Sequence, residues 1–197
     1  MKKDVALAHA CRLINHGPTV LVGSAHAGRR NVMAAAWSMP VEFVPPRVAV
    51  VIDKSTYTRE LLMASGGFTI NVPCRAVLDM TYTVGSTSGR DLAQEGGPDK
   101  FERYGIETFD SPLLGLPFVE GCIAWLECRL ISEPHAEEAY DTCFGEVVSA
   151  QADTRVFDGG HWSFREDNAE LHSLHHLGGG HFAWPGQSLQ AKVLPSR

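Results

Sequence analysis

A long alternating segment in the second half of the chain constrains the fold most. Small or apolar residues occupy every second position of residues 121–131: Cys122, Ala124, Leu126, Cys128 and Leu130. Residues two apart share one face of a β-strand, so this pattern predicts a strand with one face directed into a core. The opposite face carries Trp125, Glu127 and Arg129 and is expected to be at most half buried.

Shorter strand patterns recur along the rest of the chain. They cover residues 19–22, 32–39, 47–52, 68–72 and 144–156. A chain with many strands and few helices favours an antiparallel barrel or sandwich over a parallel, doubly wound sheet. We therefore predict a mainly β fold.

Helical patterns are short and lie between the strands. Helices are expected over residues 4–16, 59–64 and 76–84. Thr58 is expected to cap the second of these helices, because a threonine side chain accepts well from first-turn amides. The Gly-rich residues 85–99 and the His- and Gly-rich residues 171–184 are expected to be irregular.

Composition restricts the partners of this chain. Its 197 residues suit a single domain over residues 1–197, and 44% of them are hydrophobic. The net charge of -6 argues against a nucleic-acid partner, since phosphate backbones require clustered Lys and Arg. No apolar run approaches the roughly 20 residues of a membrane span. The expected ligand is therefore a small molecule.

The cysteines and the first residues indicate a cytoplasmic, reduced protein. Five cysteines are an odd number without a Cys-x-x-Cys pair, so neither a disulfide framework nor a zinc knuckle is predicted. His9 and Arg12 interrupt the apolar stretch that a signal peptide would need. The tail histidines could bind a metal in principle, but they form no zincin pattern and His175 and His176 are adjacent, so no metal is predicted.

A run of small residues is the first candidate for binding. Asn31-Val-Met-Ala-Ala-Ala-Trp37-Ser38 combines short side chains with one bulky aromatic. Short side chains allow a flat ligand to lie close to backbone amides, and Trp37 could form one wall of its site. The same composition also occurs in ordinary buried strands, so the run alone does not identify a ligand.

The second candidate is an anion site. Asp53, Lys54, Ser55 and Thr58 stand at a strand-to-helix junction, where free amides and the helix dipole suit a phosphate. Lys100 follows the Gly-rich loop and supplies a further cation. The competing interpretations are a helix cap with solvated neighbours and a lysine on the surface. Nucleotide loops of the Gly-x-Gly-x-x-Gly and Gly-x-x-x-x-Gly-Lys types are absent.

Taken in order, the motifs resemble those of the flavin reductase-like family, and its flavoredoxin-type branch in particular, over residues 18–184. The matching segments are Asn31-Val-Met-Ala-Ala-Ala-Trp37, Gly67-Phe-Thr-Ile-Asn-Val-Pro73, Asp99-Lys-Phe101, Phe144-Gly-Glu-Val147 and Leu174-His-His-Leu-Gly-Gly-Gly180. The resemblance implies an antiparallel, Greek-key split β-barrel with short peripheral helices. It also implies non-covalent FMN, NAD(P)H as co-substrate, and a homodimer that completes the site.

The same resemblance implies roles for single residues. The small-residue run would line the flavin ring, with Asn31 bonding the flavin, Trp37 packing beside it and His175 as a ring neighbour. Thr58 and Lys100 would hold the phosphate. The full expected set is Asn31, Met33, Ala34, Ala35, Ala36, Trp37, Ser38, Asp53, Lys54, Ser55, Thr58, Lys100 and His175.

The function expected from the resemblance is NAD(P)H-dependent flavin reduction with onward electron delivery, to a monooxygenase or another acceptor. One departure bears on it. Relatives often carry Gly-Asp-His before the Gly-Glu-Val strand, whereas this chain has Tyr140-Asp141 there. Two alternatives remain open: an FMN-bearing electron carrier without efficient NAD(P)H oxidation, and a split barrel that binds haem or another flat molecule.

Overall fold

The computed structural model describes residues 17–186 and 188–194. Within them the main strands are β1 Val20–His26, β2 Arg29–Ala35, β3 Ser38–Phe43, β4 Pro46–Val51, β5 Gly67–Val72, β6 Thr108–Asp110, β7 Pro117–Val119, β8 Ala124–Ile131 and β9 Thr142–Ala152. Two short hairpins follow, one of β10 Phe157–Asp158 with β11 His161–Trp162 and one of β12 His175–Gly178 with β13 His181–Ala183. The helices are α1 Tyr57–Ser65, α2 Leu78–Ser86, α3 Gly89–Gln94, α4 Lys100–Arg103 and α5 Pro134–Ala139. The helix expected over residues 4–16 lies outside the described residues.

The main sheet has to close on itself. Its seven strands run in the order β2-β1-β5-β8-β9-β4-β3, and every neighbouring pair is antiparallel. A flat sheet of this order would hold its outer strands about 29 Å apart. Only Ala36 and Trp37 join those outer strands, and this joint spans at most about 11 Å. The sheet therefore curls into a split barrel, as expected from the sequence.

Strand β1 contributes side chains to two hydrophobic cores because both of its faces are buried. Val20 and Val22 point into the barrel interior, where they pack with Phe68. Leu21 points to the other face and packs with Val84 of α2 and other residues outside the barrel. The period of two thus places the barrel core and the helical layer on opposite sides of one strand.

A buried carboxylate organises one connection of the barrel. Glu127 is fully buried and accepts hydrogen bonds from the Ser111 hydroxyl and the amides of Leu113 and Leu114. The expectation that its strand face is at most half buried was wrong for this residue. The strand has a bulge between Glu127 and Cys128, which shifts the alternation that the sequence predicts.

The predicted cysteines are buried but do not share a strand face. Cys128 lies in β8 and packs in the barrel core, whereas Cys122 precedes the strand and packs in the outer core. Burial raises the pKa of Cys128 to about 12 and also raises the pKa of Cys122. Both thiols are thus protonated small hydrophobes, as predicted.

Several predicted boundaries were wrong. The single strand expected over residues 32–39 is divided between β2 and β3. Thr56, not Thr58, caps α1, and its hydroxyl accepts from the Arg59 amide at 3.3 Å. Helix α3 occupies part of the loop expected over residues 85–99, and the β12–β13 hairpin orders the tail. None of the helices in the described part of the chain is long and apolar enough to cross a membrane.

Candidate ligand cleft

Strand β2 lies along the open seam of the barrel. Among the residues that the structure describes, it pairs only with β1, and its other edge has no strand partner there. The carbonyl of Val32 points to this edge, since it accepts a hydrogen bond from Lys100 Nζ at 2.8 Å. Strand backbones alternate with a period of two, which directs the backbone groups of Ala34 to the same edge. The seam thus presents peptide groups to a ligand.

Three adjoining cavities follow this edge. The helix-end cavity, about 460 Å³, lies at the start of α1 and includes Asn31 and Lys100. The alanine cavity, about 160 Å³, is lined by residues 34–36 and shares Gly85 and Ser86 with the first. The apolar groove, about 570 Å³, adjoins the alanine cavity through Ala36. We call the three together the cleft.

The cleft brings together most residues that the sequence predicted. The helix-end cavity includes Asn31, Met33, Ser55, Thr58 and Lys100. The alanine cavity includes Ala34, Ala35 and Ala36, and the apolar groove includes Ala36, Trp37 and Ser38. The chain runs along the length of the cleft through these positions, which explains why they form a continuous segment in the sequence.

Hydroxyl groups and helix amides surround the helix-end cavity. Thr58 is fully buried, and its hydroxyl accepts from Asn31 Nδ2 at 2.9 Å. Thr58 lies in the first turn of α1, whose amides have no carbonyl four residues back within the helix. Ser55 and Thr56 lie at the same wall, but their hydroxyls donate to the side chain and the carbonyl of Asp53. The donors that this end of the cleft offers are therefore the Thr58 hydroxyl and the first-turn amides.

Lys100 is a buried cation without a buried counter-ion. Only 2% of the residue is exposed, and Nζ donates to the carbonyls of Val32 and Val84 at 2.8 and 2.7 Å. Within the described residues, no carboxylate lies within 4.0 Å of this ammonium. Desolvation lowers the pKa of Lys100 from 10.5 to about 8. The helix-end cavity therefore has an uncompensated positive group in its wall.

Two arginines stand at the rim of the helix-end cavity. Arg90 donates to Glu60 at 2.8 Å and to the Ser55 carbonyl at 3.4 Å, which links α3 to α1. Arg29 contacts the same carboxylate at 3.5 Å. Both guanidinium groups approach the Tyr57 ring, at 6.0 Å for Arg29 and 5.6 Å for Arg90. Asp91 lines the cavity as well, so carboxylates and guanidinium groups both stand near its rim.

The second wall of the alanine cavity was missed by the sequence reasoning. It is formed by Thr81, Tyr82 and Gly85 of α2 and by His176 and Phe182 of the β12–β13 hairpin. A Cβ at Gly85 would lie 2.9 Å from Ala34 Cβ, so the glycine allows α2 to pack directly on β2. These residues are distant from the small-residue run in sequence, and no local pattern identifies them.

The apolar groove is open, and no charged side chain lines it within the described part of the chain. Its lining includes Trp37, Met39, Val41 and Phe144, with Thr142 and Ser38 as polar members. Trp37 is 48% exposed and Met39 is 61% exposed. Trp37 is therefore a wall of an open groove in this chain, and not a core residue.

Three predicted residues lie away from the cleft. Asp53 accepts from the Ser55 amide and hydroxyl, and these bonds lower the pKa of its carboxyl while shaping the turn before α1. Lys54 contacts Glu138 at 3.2 Å on the surface. His175 forms a β-bridge with Pro18 and lines none of the three cavities, whereas the adjacent His176 does.

The comparisons with known proteins agree with this geometry. The family model of the flavin reductase like domain matches residues 13–167. The chain belongs to the flavin reductase-like family. It is 55% identical over 190 residues to YddH of Escherichia coli (strain K12), and the match covers 95% of this chain and 96% of that protein. The name of YddH states no activity.

Solved structures share the fold over nearly the whole chain. An FMN-binding domain of a flavin reductase-like enzyme from Shewanella baltica OS155 is 48% identical, with a TM-score of 0.83 and coverage of 95% and 96% of the two chains. The flavoredoxin of Desulfovibrio vulgaris (Miyazaki F) is 24% identical, with a TM-score of 0.76 and 97% coverage of both chains. The second likeness concerns the fold alone.

The buried ammonium leads to a prediction about pH. Because folding lowers the pKa of Lys100 to about 8, the unfolded chain binds more protons between pH 8 and 10.5, and this group makes stability rise with pH there. The buried thiols act in the opposite direction, since their pKa values are raised. In ligand-free protein, the stability of wild type minus that of Lys100→Met should rise between pH 7.5 and 9.5, by at most about 1.4 kcal/mol per pH unit.

The measurement is chemical denaturation of both proteins across that range. The thiol contributions cancel in the difference because both proteins contain the same cysteines. Lys54→Met is the matched control, since its ammonium is half exposed and should give a flat difference. A flat difference for Lys100→Met as well would mean that Lys100 is not desolvated in the folded protein.

Proposed function

We propose that this protein binds FMN non-covalently in the cleft and catalyses NAD(P)H-dependent flavin reduction, with electrons passed on to a further acceptor. The observation that carries the proposal is the buried Lys100 ammonium, which faces the helix-end cavity without a counter-ion. A phosphate dianion would compensate this charge. The Shewanella baltica relative, at 48% identity, is described as FMN-binding, which supports the same ligand.

The residues of the cleft fit the parts of such a ligand. Lys100, Thr58 and the first-turn amides of α1 would hold the phosphate, since charge-assisted bonds from lysine and helix amides suit it. The short side chains of Ala34 and Ala36 would let the ring lie against the free edge of β2. The adjoining Gly85 and Ser86 connect the two cavities and would flank the chain between phosphate and ring.

The protein's own contribution is binding and orientation. A bound flavin supplies the hydride-accepting centre, and this chemistry belongs to the cofactor. The cleft would hold the ring at an opening, where a second flat molecule could lie at stacking distance. The peptide groups at the β2 edge would stabilise negative charge on the ring. Hydride transfer itself requires no side chain as acid or base.

We further propose a homodimer that covers the apolar groove. The exposed apolar residues Trp37, Met39, Phe43 and Val44 form one patch along β3 and the turn after it, and Phe43 is 89% exposed. Patches of this kind are typical of interaction surfaces. Strand β3 is also an outer strand of the sheet. A second copy seated here would adjoin the alanine cavity and complete the wall of the cleft.

An electron carrier without efficient NAD(P)H oxidation is the second candidate. The position where relatives often have histidine is occupied by Tyr140 and Asp141. Tyr140 is 65% exposed and contacts His135 edge-on at 5.6 Å. The Asp141 side chain accepts from the Lys54 amide, and the carbonyl of Asp141 accepts from the Ile52 amide. Neither side chain lines the cleft, so a nicotinamide would lack this family contact.

The first prediction separates the two candidates. We expect the purified protein to carry an oxidised flavin spectrum, or to gain it with added FMN, and to lose the visible bands on anaerobic addition of NADH or NADPH. Stopped-flow absorbance measures the rate, and dithionite gives the end point. Bleaching by dithionite but not by either nucleotide would favour the carrier. A haem spectrum would overturn both.

The second prediction concerns the phosphate. Lys100→Met should weaken FMN binding by roughly 10- to 150-fold, because a hydrogen bond to a charged group contributes about 1.5–3 kcal/mol. Riboflavin binding should be weakened much less, since riboflavin has no phosphate. Fluorescence titration of both flavins against wild type, Lys100→Met and the surface control Lys54→Met measures these affinities. Equal losses for FMN and riboflavin would remove Lys100 from the phosphate site.

The third prediction concerns the assembly. Wild type should be a dimer by light scattering, and Phe43→Asp should shift it toward monomer and weaken FMN binding, because a charge would be buried in the interface. Met63→Asp is the matched control, since Met63 is an exposed apolar residue outside the patch, on α1. A wild-type monomer that binds FMN stoichiometrically would contradict the proposed dimer.

A further inference from the structure

One buried hydroxyl in the alanine cavity has no hydrogen-bond partner. Thr19 is 2% exposed and lines the cavity, and its Oγ1 makes no hydrogen bond. Among residues 17–186 and 188–194, no other buried side-chain nitrogen or oxygen lacks a partner. Buried polar groups in folded proteins are nearly always bonded, and an unmade bond is destabilising. This exception therefore requires an explanation.

The surrounding fold holds the hydroxyl at this place. The Thr19 amide donates to the Leu174 carbonyl at 2.7 Å, and the next residues, Val20 and Leu21, are buried on opposite faces of β1. These contacts fix the backbone of Thr19, and its side chain is buried. Nearby, the Thr81 hydroxyl is already satisfied, because it donates to the Val77 carbonyl at 2.9 Å. The alanine side chains opposite have no polar atoms.

We infer that Thr19 is a ligand-binding residue whose hydroxyl bonds the polar edge of the flat ring in the alanine cavity. The inference rests on the proposed function. A flavin ring has carbonyl and imide groups on its pyrimidine edge and only methyl groups on its dimethylbenzene edge. Only the pyrimidine edge can satisfy Thr19. The dimethylbenzene edge then faces the apolar groove, whose lining includes Trp37, Met39 and Val41.

Thr19→Val tests the inference because it removes the hydroxyl and preserves the shape. It should weaken the binding of FMN, riboflavin and lumiflavin alike, by about 3- to 10-fold, as expected for one neutral hydrogen bond. Lumiflavin has the ring without the ribityl chain. Thr19→Ser keeps the hydroxyl and should retain affinity. The denaturation midpoint of ligand-free Thr19→Val should equal or exceed that of wild type, since no protein hydrogen bond is lost.

Thr69→Val is the matched control. Thr69 is a fully buried threonine on β5, and its hydroxyl donates to the Pro117 carbonyl at 2.8 Å. This variant should lower the denaturation midpoint and leave flavin affinity unchanged. The opposite patterns of the two variants distinguish a ligand-binding hydroxyl from a structural one.

Several results would overturn the inference. Unchanged flavin affinity in Thr19→Val, or a midpoint lowered as in Thr69→Val, would make the hydroxyl structural. A loss for FMN and riboflavin with none for lumiflavin would assign the hydroxyl to the ribityl chain and overturn the ring orientation. Wild type that binds none of the three flavins would refute the proposed function itself, and the inference with it.

Discussion

The two-residue joint between β2 and β3 is the constraint on which the rest of the structure depends. Ala36 and Trp37 connect strands at opposite ends of the sheet order, so the sheet has to curl until its edges approach. Because this connection closes the barrel and hydrogen bonds between β2 and β3 do not, an open seam remains between the two strands. The seam exposes one edge of β2, and helix α2 packs against this strand where Gly85 lies next to Ala34. The cleft is what remains between them.

A single ammonium connects this cleft to the packing of the domain. Lys100 donates to Val32 in the sheet and to Val84 near the end of α2, where helix carbonyls lack internal partners. A cation also suits the negative end of the helix dipole. The same group thus holds α2 against the barrel and presents positive charge to the helix-end cavity. Its burial carries a desolvation penalty, and an anion in the helix-end cavity would offset part of that penalty.

The sequence predicted what neighbouring residues encode and missed what the tertiary fold brings together. The alternation of β8 and the small-residue run of β2 are local patterns, and both elements were predicted. The helix cap was placed two residues late because Thr56 and Thr58 are both good caps. Lys54 contacts Glu138 and Asp141, which are about 85 positions away in the sequence. No local pattern predicts these two contacts. Tyr82 and His176 reach the cleft only through long-range packing. The family resemblance implied the adjacent His175 in place of His176.

The two walls of the cleft differ in local stability, and this difference affects ligand exchange. One wall is a strand of the barrel, with core residues on the neighbouring β1 buried on both faces. The other consists of short elements at the surface, among them α3 and the β12–β13 hairpin, with Gly178 to Gly180 exposed. The free energy of local opening is lower where fewer contacts are buried. The surface wall should therefore detach from the barrel at a much lower free energy than global unfolding requires. A flavin could then leave and return while this wall is locally open. Amide hydrogen exchange would be fast in the hairpin and slow in β1 within the same folded molecule.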